Sequence, residues 1–479
     1  MTFWDKNDLR DPSVGPGKTI VLGLQHTFTM FGATILVPLI VGFDISVALF
    51  MAGCGTLLFH ILTRGGVPLF LGSSFAFISP VFAAAALFDM PSALGGIVVS
   101  GALYIVLAVL VYFLGAKRII SWFPPIVTGC IIMVIGLVLA PIAINMAATG
   151  GAQEDVAITV LSSGAVIDGA IPGAITATNW LLALMSFFIV VIVAVFFKGF
   201  AKSLPVLIGL FTSYIIAVIL TLTGITPGLV DFGPVRDAAW FGLPSFTLAK
   251  FNLNAILLVA PVAICTMVEH IGDIMAIGAI TNKDYLKRPG LHRTLLGDGL
   301  ASVLSAMFGG PANTTYSENT GVLALTRQFN PTIMRIAAVF AVLLGFIPKL
   351  AAIISTIPTP IIGGISIVLF GMIASVGARL LVDNRVDFHK PRNLIIAAVI
   401  LVLGIGGAEI PFSFGGEAYN IEAGMALAAI AGIILNKILP GADDYRKNIS
   451  SEDETEAEGG NNDDTGIPVT DASSEEVDA

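Results

Sequence analysis

The chain has 479 residues, of which 56% are hydrophobic and only 12% charged. That balance excludes an ordinary water-soluble domain and a basic nucleic-acid-binding surface, and it is the composition of a membrane protein. The formal charge of −9 is concentrated at one end: residues 441–479 hold thirteen acidic side chains against Arg446 and Lys447, leaving the remainder near +2.

Taken in chain order, Gly, Pro and charged residues punctuate fourteen apolar stretches: 18–41, 45–63, 67–88, 93–115, 123–147, 179–198, 203–224, 253–278, 292–309, 311–328, 331–350, 358–381, 393–409 and 420–439. Most approach the roughly 20 residues that a helix needs to cross a bilayer. The first is too polar for a signal peptide and lacks a cleavage site. It carries Gln25 and His26 in "LQHTFTMFGATILVP", and the second ends on His60 and Arg64, expected at the membrane interface. The third contains "FLGSSFAFISP" (70–80), where small and hydroxyl residues interrupt the apolar run ahead of a helix-like continuation. Spans 5 and 12 open on "WFPPIVTG" (122–129) and "IPTPIIGG" (357–364), Pro being tolerated in a first helical turn that lacks internal N–H partners.

Span 8 holds Glu269, His270 and Asp273 in "ICTMVEHIGDIMAIG". The two acids are four residues apart and share one helix face, whereas His270 points about 100° away. Buried carboxylates cost several kcal/mol, roughly, unless protonated or paired, and in membranes they mark function. A shallower span with capping or snorkelling acids is the competing reading. Asp298, two turns into span 9, is expected to bond to a neighbouring helix. Span 10 begins "GGPANTTYSEN" (309–319) and places Glu318 at the start of its helical part. There, exposed N–H groups and the helix dipole favour a polar ligand, or a carboxylate acting simply as a cap. Cys54, Cys130 and Cys265 fall inside apolar spans without metal-ligand spacing, so core packing is expected, with neither a disulfide framework nor a metal site. The tail "SSEDETEAEGGNNDDTG" is too polar to offset ordering entropy and is expected to be a disordered cytoplasmic end.

With the N-terminus inside, the loops after even-numbered spans collect most of the 24 basic residues, and only Arg236, Lys250 and Lys349 fall on the other side. Such Lys/Arg bias predicts both termini in the cytoplasm. Fourteen spans divide into two sevens, and an odd-numbered repeat re-enters from the opposite face, so inverted topology follows. Interruptions at the third span of each half point to a midplane binding site. Phe75 beside such a break suits stacking on a flat heterocycle. Two carboxylates for ring N–H groups and helix-end N–H groups for carbonyls would then match a nucleobase, although a carboxylic acid or small amide meets the same description.

"QHTFTMFGATILVP", "LGSSFAFISP", "VEHIGDI" and "NTTYSENTGVLALTR", in that order, resemble the nucleobase/ascorbate transporter family and, within it, the bacterial uracil permeases. The likeness runs from about 18 to 440. It implies an all-α polytopic membrane protein with fourteen segments in two inverted seven-segment repeats, short β-strands interrupting segments 3 and 10. It further implies a cytoplasmic N-terminus (1–17), a core domain (18–115 and 253–350), a gate domain (116–252 and 351–440) and the tail (441–479). The activity implied is proton-coupled import of a nucleobase across the plasma membrane, without a cofactor, frequently as a homodimer. Carried over residue by residue, the resemblance assigns Glu269 and Glu318 to the polar edge of the base and the backbone around Phe75 and Ser317 to its carbonyls. Ala33 and Tyr316 would line the pocket, His26 would bond directly or through water, and Glu269, Asp273 and His26 would handle the proton.

Two positions depart from the pattern: Asp273 stands where the best-known uracil permeases have His, as in purine-carrying relatives, and Ser317 stands where Gly is common. Xanthine and urate carriers tend to have Gln at the position of Glu318, so that residue favours uracil. A xanthine or purine-base symporter and an anion transporter of the same fold are the alternatives. An intramembrane hydrolase built on paired acids is a more distant one, since "LGDGL" only superficially echoes a diaspartate protease motif.

Overall fold

A computed structural model describes residues 15–150, 177–414, 417–422 and 424–441. The N-terminal residues and the acidic tail, with the disorder expected of it, lie outside the described residues. Eight helices among the described residues are long and apolar enough to cross a membrane, or nine if a bent pair counts as one span. The first two are α1 (Pro16–Val41) and α2 (Ile45–Leu62), followed by strand β1 (Leu71–Ser73), α3 (Ile78–Leu87) and α4 (Met90–Leu114). Next come α5 (Pro125–Val138), which continues into α6 (Ala140–Thr149), then α7 (Ala177–Phe196) and α8 (Pro205–Leu222). The second half contains α9 (Leu253–Val259), α10 (Ala263–Thr281), α11 (Leu291–Met307), β2 (Asn313–Thr315), α12 (Ser317–Thr326), α13 (Pro331–Gly345), α14 (Pro348–Ser355), α15 (Thr359–Asp383) and α16 (Pro391–Ile405). A hairpin of β3 (Glu409–Phe414) and β4 (Glu417–Glu422) precedes α17 (Gly424–Ile438).

Each of the fourteen stretches read from the sequence contains one of these elements or a consecutive pair. The smaller number of full-length spans has local causes. Expected segments 3 and 10 are a strand plus a ten-residue helix; the eleventh bends by 81° between α13 and α14. The β3–β4 hairpin was not anticipated. It takes up residues assigned to the end of span 13 and the start of span 14, shortening α16 and α17 to 15 residues each.

Helix starts follow local chemistry. Asp44, Asp89 and Asn330 accept from Val47, Ser92 and Thr332 N–H groups at 2.9, 2.7 and 2.9 Å, and Pro occupies a first-turn position in α1, α5, α8, α13 and α16. Packing then sorts the helices. In one set α4 and α11 pack together, as do α2 with α13, α2 with α11 and α1 with α13. In the other, α15 packs on α5, α6 and α7, α16 packs on α17 and α5, and α8 packs on α7.

Close approach through glycine recurs in both sets. A Cβ on Gly101 of α4 would lie 2.6 Å from the Gly299 carbonyl of α11, and one on Gly377 of α15 would lie 2.5 Å from the Gly129 carbonyl of α5. Helices in lipid gain contact area in this way, because no solvent-driven burial holds them together.

Candidate functional site

At the centre of the first set, β1 and β2 pair antiparallel, with Leu71 opposite Thr315, Gly72 opposite Thr314 and Ser73 opposite Asn313. A two-stranded sheet exposes two outer edges, and inside a membrane protein no water is at hand to satisfy them. Side-chain hydroxyls supply the missing partners. Thr56 Oγ1 of α2 accepts from Leu71 N–H (2.9 Å) and donates to Leu71 C=O (3.1 Å). On the opposite edge, Ser302 Oγ of α11 accepts from Asn313 N–H (3.1 Å) and donates to Asn313 C=O (2.7 Å). The pair is extended by Ser74 N–H donating to Ala312 C=O (2.9 Å) and Tyr316 N–H donating to Phe70 C=O (3.0 Å).

Each strand leads into a short helix, β1 through a turn at Phe75–Phe77 into α3, and β2 directly into α12. Because the strands are antiparallel, the two helices leave in opposite directions and their N-terminal ends meet at the strand crossing. The N–H groups of a first turn have no intrahelical acceptor, so this crossing presents donors to whatever occupies it. Tyr316 locks the arrangement. Its hydroxyl donates to Ser73 C=O (3.1 Å) and accepts from Thr34 Oγ1 (3.2 Å), while Ser73 Oγ donates to Thr34 C=O (3.0 Å). Gly72 makes room for the ring, since a Cβ there would fall 2.4 Å from Tyr316 Cζ.

The acids come from α10 and α12. Thr315 Oγ1 donates to Asp273 Oδ2 at 2.5 Å, joining α10 to the end of β2. Glu269 lies within electrostatic reach of Asp273, Glu318 and Asp298. Glu269, Asp273 and Glu318 are half-buried and Ser317 is exposed, whereas Tyr316, Asn313, Thr314 and Thr315 around them are buried. The carboxylates therefore border open space beside a packed scaffold. His270, on the other face of α10, has no surface exposure; its Nδ1 lies 3.2 Å from Asp298 Oδ2 on α11. Tyr104 of α4 stands edge-on to its ring at 6.3 Å.

The remaining predicted site residues sit as follows. Phe75 is buried at the start of the first half-helix, edge-on to Phe370 of α15 at 5.9 Å, so it touches the second helix set. Ala33 is buried in α1. His26 is also buried; its backbone carbonyl accepts from Asn319 Nδ2 of α12 (3.3 Å), and its ring nitrogens have no hydrogen-bond partner among the described residues. Tyr316 has its hydroxyl committed to the scaffold. Glu318 lies in the first turn of α12.

His60 corrects an expectation: instead of lying at the interface it is fully buried, with Nε2 3.0 Å from the Leu69 carbonyl, because the chain after α2 folds back over it toward β1. Asp298 does face a neighbouring helix, its Oδ2 lying 3.2 Å from His270 Nδ1 of α10. Sequence reasoning missed Thr56, Ser302, Thr34 and Asn319. Hydroxyl and amide residues inside apolar spans were the available signal, but nothing local shows which strand edge each would meet.

A multi-pass membrane carrier, with a polar centre where two interrupted segments meet, is the class these features define. The family model described as Permease family matches residues 17–412, and the chain belongs to this family, the nucleobase/ascorbate transporters that its motifs resemble; it is a transporter rather than an enzyme. It is 41% identical over 456 residues to a uracil permease of Bacillus caldolyticus, covering 94% of this chain and 98% of the relative. It is 42% identical to a uracil permease of Bacillus subtilis, covering 91% and 96%. A putative pyrimidine permease of Escherichia coli is 40% identical, with 88% and 89% covered. Among solved structures, the transmembrane domain of a cyanobacterial bicarbonate transporter, BicA, superposes with a TM-score of 0.58 at 18% identity, covering 87% of this chain and 96% of that one. The murine anion transporter Slc26a9 gives 0.59 at 11%, covering 87% and 68%. At these identities the likeness is one of fold.

Proposed function

We propose that the protein imports uracil in symport with protons by alternating access. The observation that carries this reading is the gathering of Glu269, Asp273 and Glu318 beside the crossing of β1 and β2. Carboxylates accept from ring N–H groups, and first-turn N–H groups of α3 and α12 donate to ring carbonyls, which is the alternating pattern of a pyrimidine base. Glu269 and Glu318 hold the polar edge, the backbone at Phe75 and Ser317 holds the carbonyls, Ala33 closes one side, and Tyr316 fixes the floor. Glu269, with Asp273 and His26, carries the proton.

Around this site we place fourteen segments in two inverted repeats of seven. The matched roles of Thr56 in segment 2 and Ser302 in segment 9, each closing the outer edge of the strand that follows it, support that symmetry. The first helix set is the core (18–115 and 253–350) and the second the gate (116–252 and 351–440), and a homodimer through the gate, with both termini on the cytoplasmic side of the plasma membrane, completes the proposal.

The fold likeness to anion transporters favours a second reading, transport of a small anion. Against it, the charged groups that act on Glu269 are all acidic, and an acidic lining repels anions. Purified protein in proteoliposomes, offered labelled uracil, xanthine and bicarbonate separately under an imposed pH gradient, tests the proposal. Uracil accumulation that collapses with a protonophore is expected; bicarbonate uptake without uracil uptake would replace it.

A further inference from the structure

Between α8 and α9 the chain runs without regular secondary structure from about residue 238 to 252, in the sequence "AAWFGLPSFTLAKFN". It is nevertheless held closely. Ala239 C=O accepts from Lys349 N–H (3.0 Å), Gly242 N–H donates to Phe346 C=O (3.1 Å), Thr247 N–H to Phe308 C=O (3.3 Å) and Lys250 N–H to Pro91 C=O (2.8 Å). Lys349 Nζ adds bonds to the Val235 and Ala238 carbonyls at 2.5 and 2.9 Å. Gly95 of α4 lets the strap lie flat, because a Cβ there would fall 2.0 Å from the Lys250 carbonyl. Inward, Phe246 stands edge-on to Phe50 and Phe308 at 5.6 and 6.1 Å.

The four anchoring points are the start of α4, the end of α11, the end of α13 and the start of α14. These are helix ends, so the strap crosses one face of the protein at the level where spans emerge. Yet its outward side chains are large and apolar: Trp240 is 69% exposed, Phe241 80%, Leu243 79%, Leu248 67% and Phe251 63%. Polar elements are interleaved with them. Lys349 lies over the Trp240 ring, with Nζ 5.6 Å from its centroid, and Lys250 pairs with Asp89 at 3.2 Å.

We infer that this strap is an interfacial membrane anchor, lying in the headgroup layer of the bilayer with its Trp and Phe rings entering the acyl boundary. Three observations select lipid as the occupant. Non-helical backbone cannot sit in hydrocarbon unless it is buried in protein, which sets the depth at the polar layer. Trp240, with its ring N–H, and the neighbouring Lys349 and Lys250 are the residue types of the layer where spans meet the headgroups, and the Phe rings beside them supply apolar surface. The strap also lies beside exposed apolar side chains at the ends of the segments it holds, Phe308 after α11 and Leu343 of α13, so its own apolar side chains extend that surface. Anchored there, it fixes the depth of α4, α11, α13 and α14 together, since its hydrogen bonds go to those elements and their flanking residues.

Tryptophan emission reads the inference directly. The full chain and a Trp240→Phe variant are reconstituted in phosphatidylcholine vesicles brominated either near the headgroup or deep in the acyl chain, and the difference between their emission isolates Trp240. The expected result is a Trp240 contribution that loses about half or more of its intensity to shallow bromine, less to deep bromine, and little to aqueous iodide. Strong quenching by iodide with none by either bromolipid would overturn the anchor and place the strap in water. A Phe241→Cys chain that oxidises to a covalent dimer in vesicles, with Trp240 insensitive to bromine and iodide alike, would assign the surface to a second copy instead. Because Trp→Phe is conservative and neither Trp240 nor Phe241 belongs to the transport site, loss of uracil uptake for other reasons leaves this readout intact.

Discussion

Thr56→Val tests whether the strand crossing depends on a single hydroxyl. Valine has nearly the same shape as threonine, so packing against α2's neighbours is preserved. The backbone N–H and C=O of Leu71, now bonded to Thr56 at 2.9 and 3.1 Å, would both lose their partner. Thr56 and Leu71 are fully buried, so water cannot replace it without a local opening. An unsatisfied buried donor or acceptor costs about 1–3 kcal/mol, which puts the double loss at roughly 2–6 kcal/mol. Against a total stability of about 5–15 kcal/mol this is severe but survivable. Purified protein in detergent should melt several degrees lower, and Thr56→Ser, which keeps the hydroxyl, should recover most of the difference. Uracil uptake should fall in parallel, because β1 sets the direction of the half-helix that carries Phe75. A Thr56→Val protein with parental melting temperature and uptake would refute the reasoning, showing that the Leu71 groups are satisfied in another way.

Four further outcomes are expected. Gly72→Ala should weaken both stability and uptake, because its methyl group meets the Tyr316 ring at 2.4 Å and overpacking costs about 1–3 kcal/mol; a parental melting temperature would sink the contact. Glu318→Gln should reduce uracil affinity about tenfold to a hundredfold, the worth of a charge-assisted bond of about 1.5–3 kcal/mol; unchanged binding by isothermal titration would remove Glu318 from the site. Asp298→Asn should lower the melting temperature, because it changes the side chain that faces His270 Nδ1 at 3.2 Å in the buried contact between α10 and α11, and a melting curve that does not move would show that contact to contribute nothing to stability. Glu269→Gln should retain uracil exchange between vesicle compartments but lose accumulation driven by a pH gradient; accumulation at parental levels would pass the proton-carrying role to Asp273.

Much of the architecture was legible because it rests on short-range signals. Each run of apolar residues broken by Gly, Pro and charge falls on at least one of the described elements, and Pro124 and Pro358 now stand as the residues immediately before α5 and α15. The small and hydroxyl residues of "FLGSSF" and "ANTTYS" announced the two interruptions, since a helix-length apolar pattern lapses there. The β3–β4 hairpin escaped notice because most of it falls between the runs read as spans 13 and 14, and strands of six residues leave no apolar run of helix length there.

The site was legible only in part, for a geometric reason. Glu269 and Asp273 share a helix face by spacing alone, so their juxtaposition follows from the sequence. That Thr315 would donate to Asp273 across 42 positions does not, nor does the pairing of His270 with Asp298. Those contacts are set by the close approach of α10, α11 and the strand pair. His60 shows the same limit from the other side: a histidine near a span end and an arginine four residues later read as interfacial, until the return of the chain toward β1 supplies the Leu69 carbonyl and closes water out. The polar residues at depth thus divide into two groups by what they meet. Thr56, Ser302 and His60 bond to the backbone at or beside the strand crossing and its flanks, and Thr34 donates to the Tyr316 hydroxyl there. Glu269, Asp273, Ser317 and Glu318 keep surface facing open space. A carboxylate that only held helices together would gain nothing from that opening, because the interior offers it better-ordered partners. The partial exposure of all three acids is therefore the feature on which the proposed binding place rests.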